Sequence, residues 1–106
     1  MSDLFTIQYD GDSQCYLISG ELTLETAKAV LAETESQFGK PAQLDIDLAQ
    51  VTRADSAGLA LLITWMRQAK QSDRKISFAH LPVQMLAIAK ASGLDTILPL
   101  KQANSD

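Results

Sequence analysis

The chain has 106 residues, 46% of them hydrophobic and 21% charged, a length and balance that suit one domain whose single core buries about two-thirds of the unfolded surface. Nine Lys and Arg against thirteen Asp and Glu leave a formal charge of −4, so the overall field repels phosphate backbones and argues against a nucleic-acid binder. The lone Cys15 cannot close an internal disulfide, and with the lone His80 it falls short of the four Cys or His groups of a structural zinc site. Met1-Ser2-Asp3-Leu4-Phe5 carries neither a basic nor an apolar targeting region, and the longest apolar run, Gly58 to Ile63, is far below the roughly 20 residues of a bilayer span. A cytoplasmic chain with no direct membrane insertion is expected, and an unpaired thiol suits that compartment.

Phe5-Thr6-Ile7-Gln8-Tyr9 alternates apolar and polar like a half-buried strand, and Asp10-Gly11-Asp12-Ser13 supplies turn residues before a second run, Cys15-Tyr16-Leu17-Ile18; the pattern predicts a hairpin. Thr23 then caps an expected helix with Leu24, Ala27, Leu31 and Phe38 at helical spacing, Glu25 in its first turn, and Gly39 and Pro41 as its stop. Leu44-Asp45-Ile46-Asp47-Leu48 alternates again, and Ala57 to about Gln71 is free of breakers and rich in helix formers. Lys75 to Ala79 reads as a short strand, Pro82 opens a helix through Met85, Leu86 and Ala89 to Gly93, and a last strand is placed at Thr96-Ile97-Leu98. This alternation predicts an α/β fold, a mixed sheet of four to five strands with helices mainly on one face and right-handed crossovers. Leu17, Ile46, Leu48, Leu59, Leu62, Ile63, Met66 and Leu86 are the expected core. Residues 1–100 form the domain, and residues 101–106 read as a frayed tail.

Catalysis by a nucleophile beside a base finds little material. His80 has no partner that the sequence identifies, and it reads as structural or exposed. Asp45 and Asp47 share one face of a strand and could form an acid/base pair or hold Mg²⁺, but the simpler reading is the polar side of a half-covered strand. Cys15 reads as a small core residue, and no Gly-rich phosphate loop occurs. No enzyme, no cofactor and no metal are therefore expected.

One segment is richer, Val51-Thr52-Arg53-Ala54-Asp55-Ser56-Ala57-Gly58-Leu59, which joins a strand to a helix. Ser56 is placed to cap the helix with its hydroxyl. The same position suits a phosphate or another anion, received by free N–H groups and the positive end of the helix dipole. On the helix that follows, Leu59, Leu62, Ile63 and Met66 complete a core-facing stripe, leaving Leu61 and Trp65 as i, i+4 neighbours on another flank. That flank either packs against the helix that starts near Pro82 or forms an exposed partner-binding patch.

Four runs in order, Ser19-Gly20-Glu21-Leu22, Leu44-Asp45-Ile46-Asp47-Leu48, Asp55-Ser56-Ala57-Gly58-Leu59 and Ala91-Ser92-Gly93-Leu94, resemble the STAS domain family over nearly the whole chain. In the anti-sigma-factor-antagonist branch a partner kinase phosphorylates a Ser or Thr after the Asp, and Ser56 stands at that position. Ala57 departs from that branch, which usually carries a second hydroxyl there. The run from Arg53 to Leu62 is more similar to the MlaB-like STAS subunits of ABC transporters that move phospholipids to maintain outer-membrane asymmetry. That resemblance implies a non-enzymatic subunit bound to the transporter ATPase and permease at the inner face of the inner membrane. The alternative it leaves open is an antagonist switched by an anti-sigma-factor kinase. Either way the resemblance implies a protein partner met by the Ser56 loop and the helix after it, with Ser56 as the candidate phosphorylation site; the expected contact residues are Asp55, Ser56, Ala57 and Gly58, joined by Leu61 and Trp65 if their flank is the exposed patch.

Overall fold

The computed structural model of the chain describes residues 4–39 and 42–100. Its elements run β1 (Phe5–Asp10), β2 (Cys15–Leu22), α1 (Ala27–Gln37), β3 (Gln43–Ala54), α2 (Ser56–Gln71), β4 (Lys75–Ala79) and α3 (Val83–Ala91). The four strands lie in chain order, β1 antiparallel to β2, then β2, β3 and β4 mutually parallel. Each parallel step needs a crossover, and α1 and α2 supply the two.

Period-two alternation decides which face is covered. Ile7, Ile18, Leu44, Ile46, Leu48 and Phe78 are buried on the helix side, while Thr6, Gln8, Leu17, Ser19, Asp45, Asp47 and Ser77 alternate with them onto the other face. Asp45 and Asp47 are thus the polar side of a half-covered strand, as expected. Against the sheet, α2 lies between α1 and α3. The core continues along an aromatic row: Tyr16 meets Phe38 edge-on at 4.8 Å between centroids, Phe38 meets Trp65 at 5.5 Å, and Trp65 meets Phe78 at 6.5 Å.

The hairpin, β4 and α3 stand where the sequence places them. Gly93 ends α3 with φ +72°: the Leu94 N–H reaches back to the Ala89 carbonyl and the Gly93 N–H to that of Lys90, the paired closure that a left-handed residue after a helix allows. Several expectations need correction. The first helix begins at Ala27, not after Thr23, because Thr23 to Thr26 form a tight turn in which the Thr26 hydroxyl donates to the Glu21 carbonyl and accepts from the Thr23 N–H. Glu25 consequently precedes the helix, and Leu24 is 79% exposed. The third strand runs six residues past Leu48, paired with Ser19 to Leu22 through two register shifts. No strand forms at Thr96–Leu98; the chain only touches the β4 edge at a single parallel bridge, Phe78 to Leu100. Leu17 faces the uncovered side of the sheet, and neither it nor Leu86 belongs to the core, whereas Ile46, Leu48, Leu59 and Leu62 are buried and Ile63 and Met66 pack at its edge. The expected tail at residues 101–106 lies outside the described residues.

Candidate functional site

Parallel pairing carries Leu22 of β2 level with Ala54 of β3, so the loop after β2 and the start of α2 emerge side by side. Asp55 joins them. Its backbone is extended, and one carboxylate oxygen, Oδ1, accepts from the N–H groups of Ala57 (2.8 Å) and Gly58 (3.4 Å). The other, Oδ2, accepts from the Leu24 N–H at 3.1 Å, and the Asp55 N–H donates to the Leu22 carbonyl at 3.3 Å. The helix cap is therefore Asp55 and not Ser56, because the carboxylate one residue earlier already holds the first-turn donors that a Ser56 hydroxyl would have taken. For the same reason those N–H groups are not free to receive an anion.

Gly58 lets this arrangement close. A Cβ there would lie 2.4 Å from the Leu22 carbonyl oxygen and 3.1 Å from the Met85 methyl, so α2 can approach β2 this tightly only with a glycine. Above the same end, the Gln84 side-chain carbonyl accepts from the Ala54 N–H at 3.1 Å, which ties the start of α3 to the end of β3. Three segments are thus fixed together, each by a hydrogen bond that crosses between elements.

Their outer surface mixes apolar and polar side chains: Leu24 and Val83 are exposed, and so are Glu25, Thr52, Arg53 and Gln84. Ser56 is exposed at the first position of α2, and of the described large hydrophobic residues the most exposed are Leu24 at 79% and Val83 at 83%, one in the loop tied to Asp55 and one beside Gln84. Isolated exposed apolar residues mean little by themselves; these two sit in segments held by the Asp55 and Gln84 hydrogen bonds. Sequence reasoning missed both, since it places Leu24 inside the first helix at helical spacing and gives Val83 no role. Their signal is weak: Val83 is an apolar residue off the face that buries Met85 and Ala89.

Leu61 and Trp65 are not part of that surface. They are 4% and 1% exposed; the Trp65 indole N–H donates to the Thr34 hydroxyl at 3.1 Å, and its ring lies between Phe38 and Phe78. The flank that carries them packs toward α1, not toward α3. Of the six residues named from the sequence, Asp55, Ser56, Ala57 and Gly58 gather at this end of the sheet, and Leu61 and Trp65 go to the core.

His80 does have a partner, Asp47, with Nδ1 and Oδ1 3.0 Å apart, and Asp45 accepts from the Ser77 hydroxyl at 2.5 Å. Both pairs tie β3 to β4 on the uncovered face. Among the described residues, no group of three or more His, Cys, Asp or Glu could hold a metal ion, and no helix is long and apolar enough to cross a membrane.

Comparison with known proteins agrees with this architecture. The family model described as "Mlab, STAS domain" matches residues 6–99, and the chain belongs to the STAS domain family. Among solved structures, an anti-sigma factor antagonist from Mycobacterium paratuberculosis superposes with a TM-score of 0.74 at 23% identity, over 97% of this chain and 90% of that one. The anti-sigma factor antagonist SpoIIAA in its unphosphorylated form gives 0.67 at 16% identity, over 93% and 89%. A sulfate transporter family protein from Wolinella succinogenes gives 0.64 at 12% identity, over 81% and 73%. These likenesses establish the fold. No curated protein sequence matches the chain.

Proposed function

We propose that this chain is the MlaB-like regulatory subunit of an ABC transporter that maintains outer-membrane phospholipid asymmetry, binding the ATPase through the surface formed by Leu24, Ser56 and Val83 and so residing at the inner face of the inner membrane. The observation that carries the reading is the match of the MlaB family model to residues 6–99. The site is of a kind that acts by contact: two exposed apolar side chains in segments braced by hydrogen bonds, with the exposed Ser56 hydroxyl at the start of α2. Ala57 supports the same reading, because it replaces the second hydroxyl of the phosphorylated branch.

The alternative is an anti-sigma-factor antagonist switched by a kinase, and the exposed Ser56 hydroxyl favours it. A phosphate there would bring close to two negative charges beside the Asp55 carboxylate, with the first-turn N–H groups at Ala57 and Gly58 already taken. It would act by repelling a partner surface, not by docking onto its own helix.

Native co-purification of the tagged chain separates the two. An ABC ATPase and permease recovered in stoichiometric amount, with the transporter's ATPase activity falling when the chain is removed, is the expected result. Recovery of a serine kinase that phosphorylates Ser56 in place of the transporter would transfer the assignment to the alternative.

A further inference from the structure

The two edges of the sheet differ. At the β4 edge the chain covers itself, the Phe78 N–H donating to the Pro99 carbonyl at 3.0 Å beside the bridge to Leu100. β1 is the other edge. The Leu4 carbonyl accepts from the Glu21 N–H at 2.8 Å, and an antiparallel ladder alternates bonded and non-bonded pairs, so Leu4, Thr6, Gln8 and Asp10 turn their main-chain groups toward β2. Phe5, Ile7 and Tyr9 turn theirs outward, where they meet no donor or acceptor among the described residues.

Such an edge recruits another strand unless Lys, Pro, a bulge or a cover guards it. Phe5-Thr6-Ile7-Gln8-Tyr9-Asp10 holds no Lys, Arg or Pro, it pairs with β2 without a register shift, and its one charge is Asp10 at the far end. Tyr9 at 55% and Leu4 at 44% are among the exposed large hydrophobic residues.

The strand also complements itself. Two copies running antiparallel and centred on Ile7 would set Ile7 against Ile7 and Phe5 against Tyr9, so that every outward N–H and C=O of these residues finds a partner. Centring one residue away leaves Tyr9 or Phe5 facing beyond the strand end. On the helix side each Tyr9 ring would lie beside a Phe5 ring, and on the open face Thr6 would stand opposite Gln8. Asp10 would face Leu4, so no like charges meet.

We infer that β1 is a self-association edge, which joins the four-stranded sheets of two copies of this chain into one continuous sheet. A two-strand junction is at the small end of specific interfaces, and a dissociation constant on the order of 100 µM is expected. The dimer needs no partner at the Ser56 surface.

The test is sedimentation of the full chain from about 10 µM to about 1 mM, with amide hydrogen exchange followed at both limits. A reversible monomer–dimer equilibrium is expected, with exchange at the Ile7 and Tyr9 amides slowed several-fold at the high limit, and much less change at Thr6 and Gln8, already bonded to β2. Thr6 and Gln8 are exposed, so charge can test the register. Thr6→Lys/Gln8→Lys and Thr6→Glu/Gln8→Glu should each weaken self-association roughly tenfold, because like charges would stand opposite one another, and an equimolar mixture of the two should pair at least as tightly as wild type. A chain monomeric at about 1 mM would leave the edge to an extended segment of another protein and overturn the inference. So would a dimer whose Ile7 and Tyr9 amides exchange as fast as in the monomer, charged variants that dimerise like wild type, or a mixture that stays monomeric.

Discussion

The Asp55 carboxylate accepts from three backbone N–H groups that belong to two different segments, so removing it opens the cap of α2 and releases the loop that presents Leu24. Loss of an N-cap costs about 0.5–2 kcal/mol, and leaving the Leu24 N–H without its charged acceptor adds to that. Asp55→Ala should therefore lower stability by about 1–3 kcal/mol in urea unfolding and speed hydrogen exchange at the Leu24 amide, with Asp55→Asn intermediate. If exchange at Leu24 stays at the wild-type rate in Asp55→Ala, the link between the two segments is not held by this side chain. Ser56→Asp is different, because an acidic residue at a helix start gains about 0.3–1 kcal/mol from the dipole while it sits beside Asp55; the two effects offset and the melting temperature should stay near wild type. In the core, Trp65→Ala removes a ring packed between Phe38 and Phe78 and should cost about 3–5 kcal/mol, and Leu61→Asp should unfold the domain. Wild-type melting of either variant would put that flank back on the surface. Sequence pattern located this region but shifted its details by one residue, since Asp and Ser both serve as caps and only the fold shows which one faces the free N–H groups.

At the level of elements, α2 is set by how closely it approaches β2. Gly58→Ala would drive a methyl group against the Leu22 backbone oxygen, 2.4 Å away, and backbone cannot step aside as a flexible side chain would. A loss of about 1–3 kcal/mol or more is expected, read as a lower urea midpoint with an unchanged slope; a stability within error of wild type would show that α2 has room to spare. The hairpin is readable from the alternation of β1 and the turn residues after it, and α2 and α3 from runs of helix formers between clear start and stop residues. Cys15-Tyr16-Leu17-Ile18 has apolar residues on both faces, so alternation could not choose a side and Leu17 was assigned wrongly. The missing half of β3, Ala49 to Ala54, pairs through two register shifts, and each shift breaks the period on which a strand is recognised. The late start of α1 has another cause. A buried Thr26 bonded to Glu21 and Thr23 makes a turn that looks, in sequence, like the first turn of a helix.

For the whole molecule, a sheet covered on one face leaves a domain whose Ser56 end exposes Leu24 and Val83 among polar and charged side chains. The STAS fold could be read from four short runs of sequence. Leu24 and Val83 could not, because their exposure depends on where the turn at Thr23 and the start of α3 place them. The most direct test of the partner-binding account is reconstitution of the chain with the transporter ATPase, comparing wild type with Leu24→Asp, Val83→Asp and Ser56→Asp by size-exclusion co-elution. Each variant should melt within a few degrees of wild type, since all three side chains are exposed, and each should fail to co-elute, because a charge placed against an apolar surface without a cationic mate costs several kcal/mol. Folded variants that all co-elute as wild type does would contradict the account and move the partner surface elsewhere on the domain.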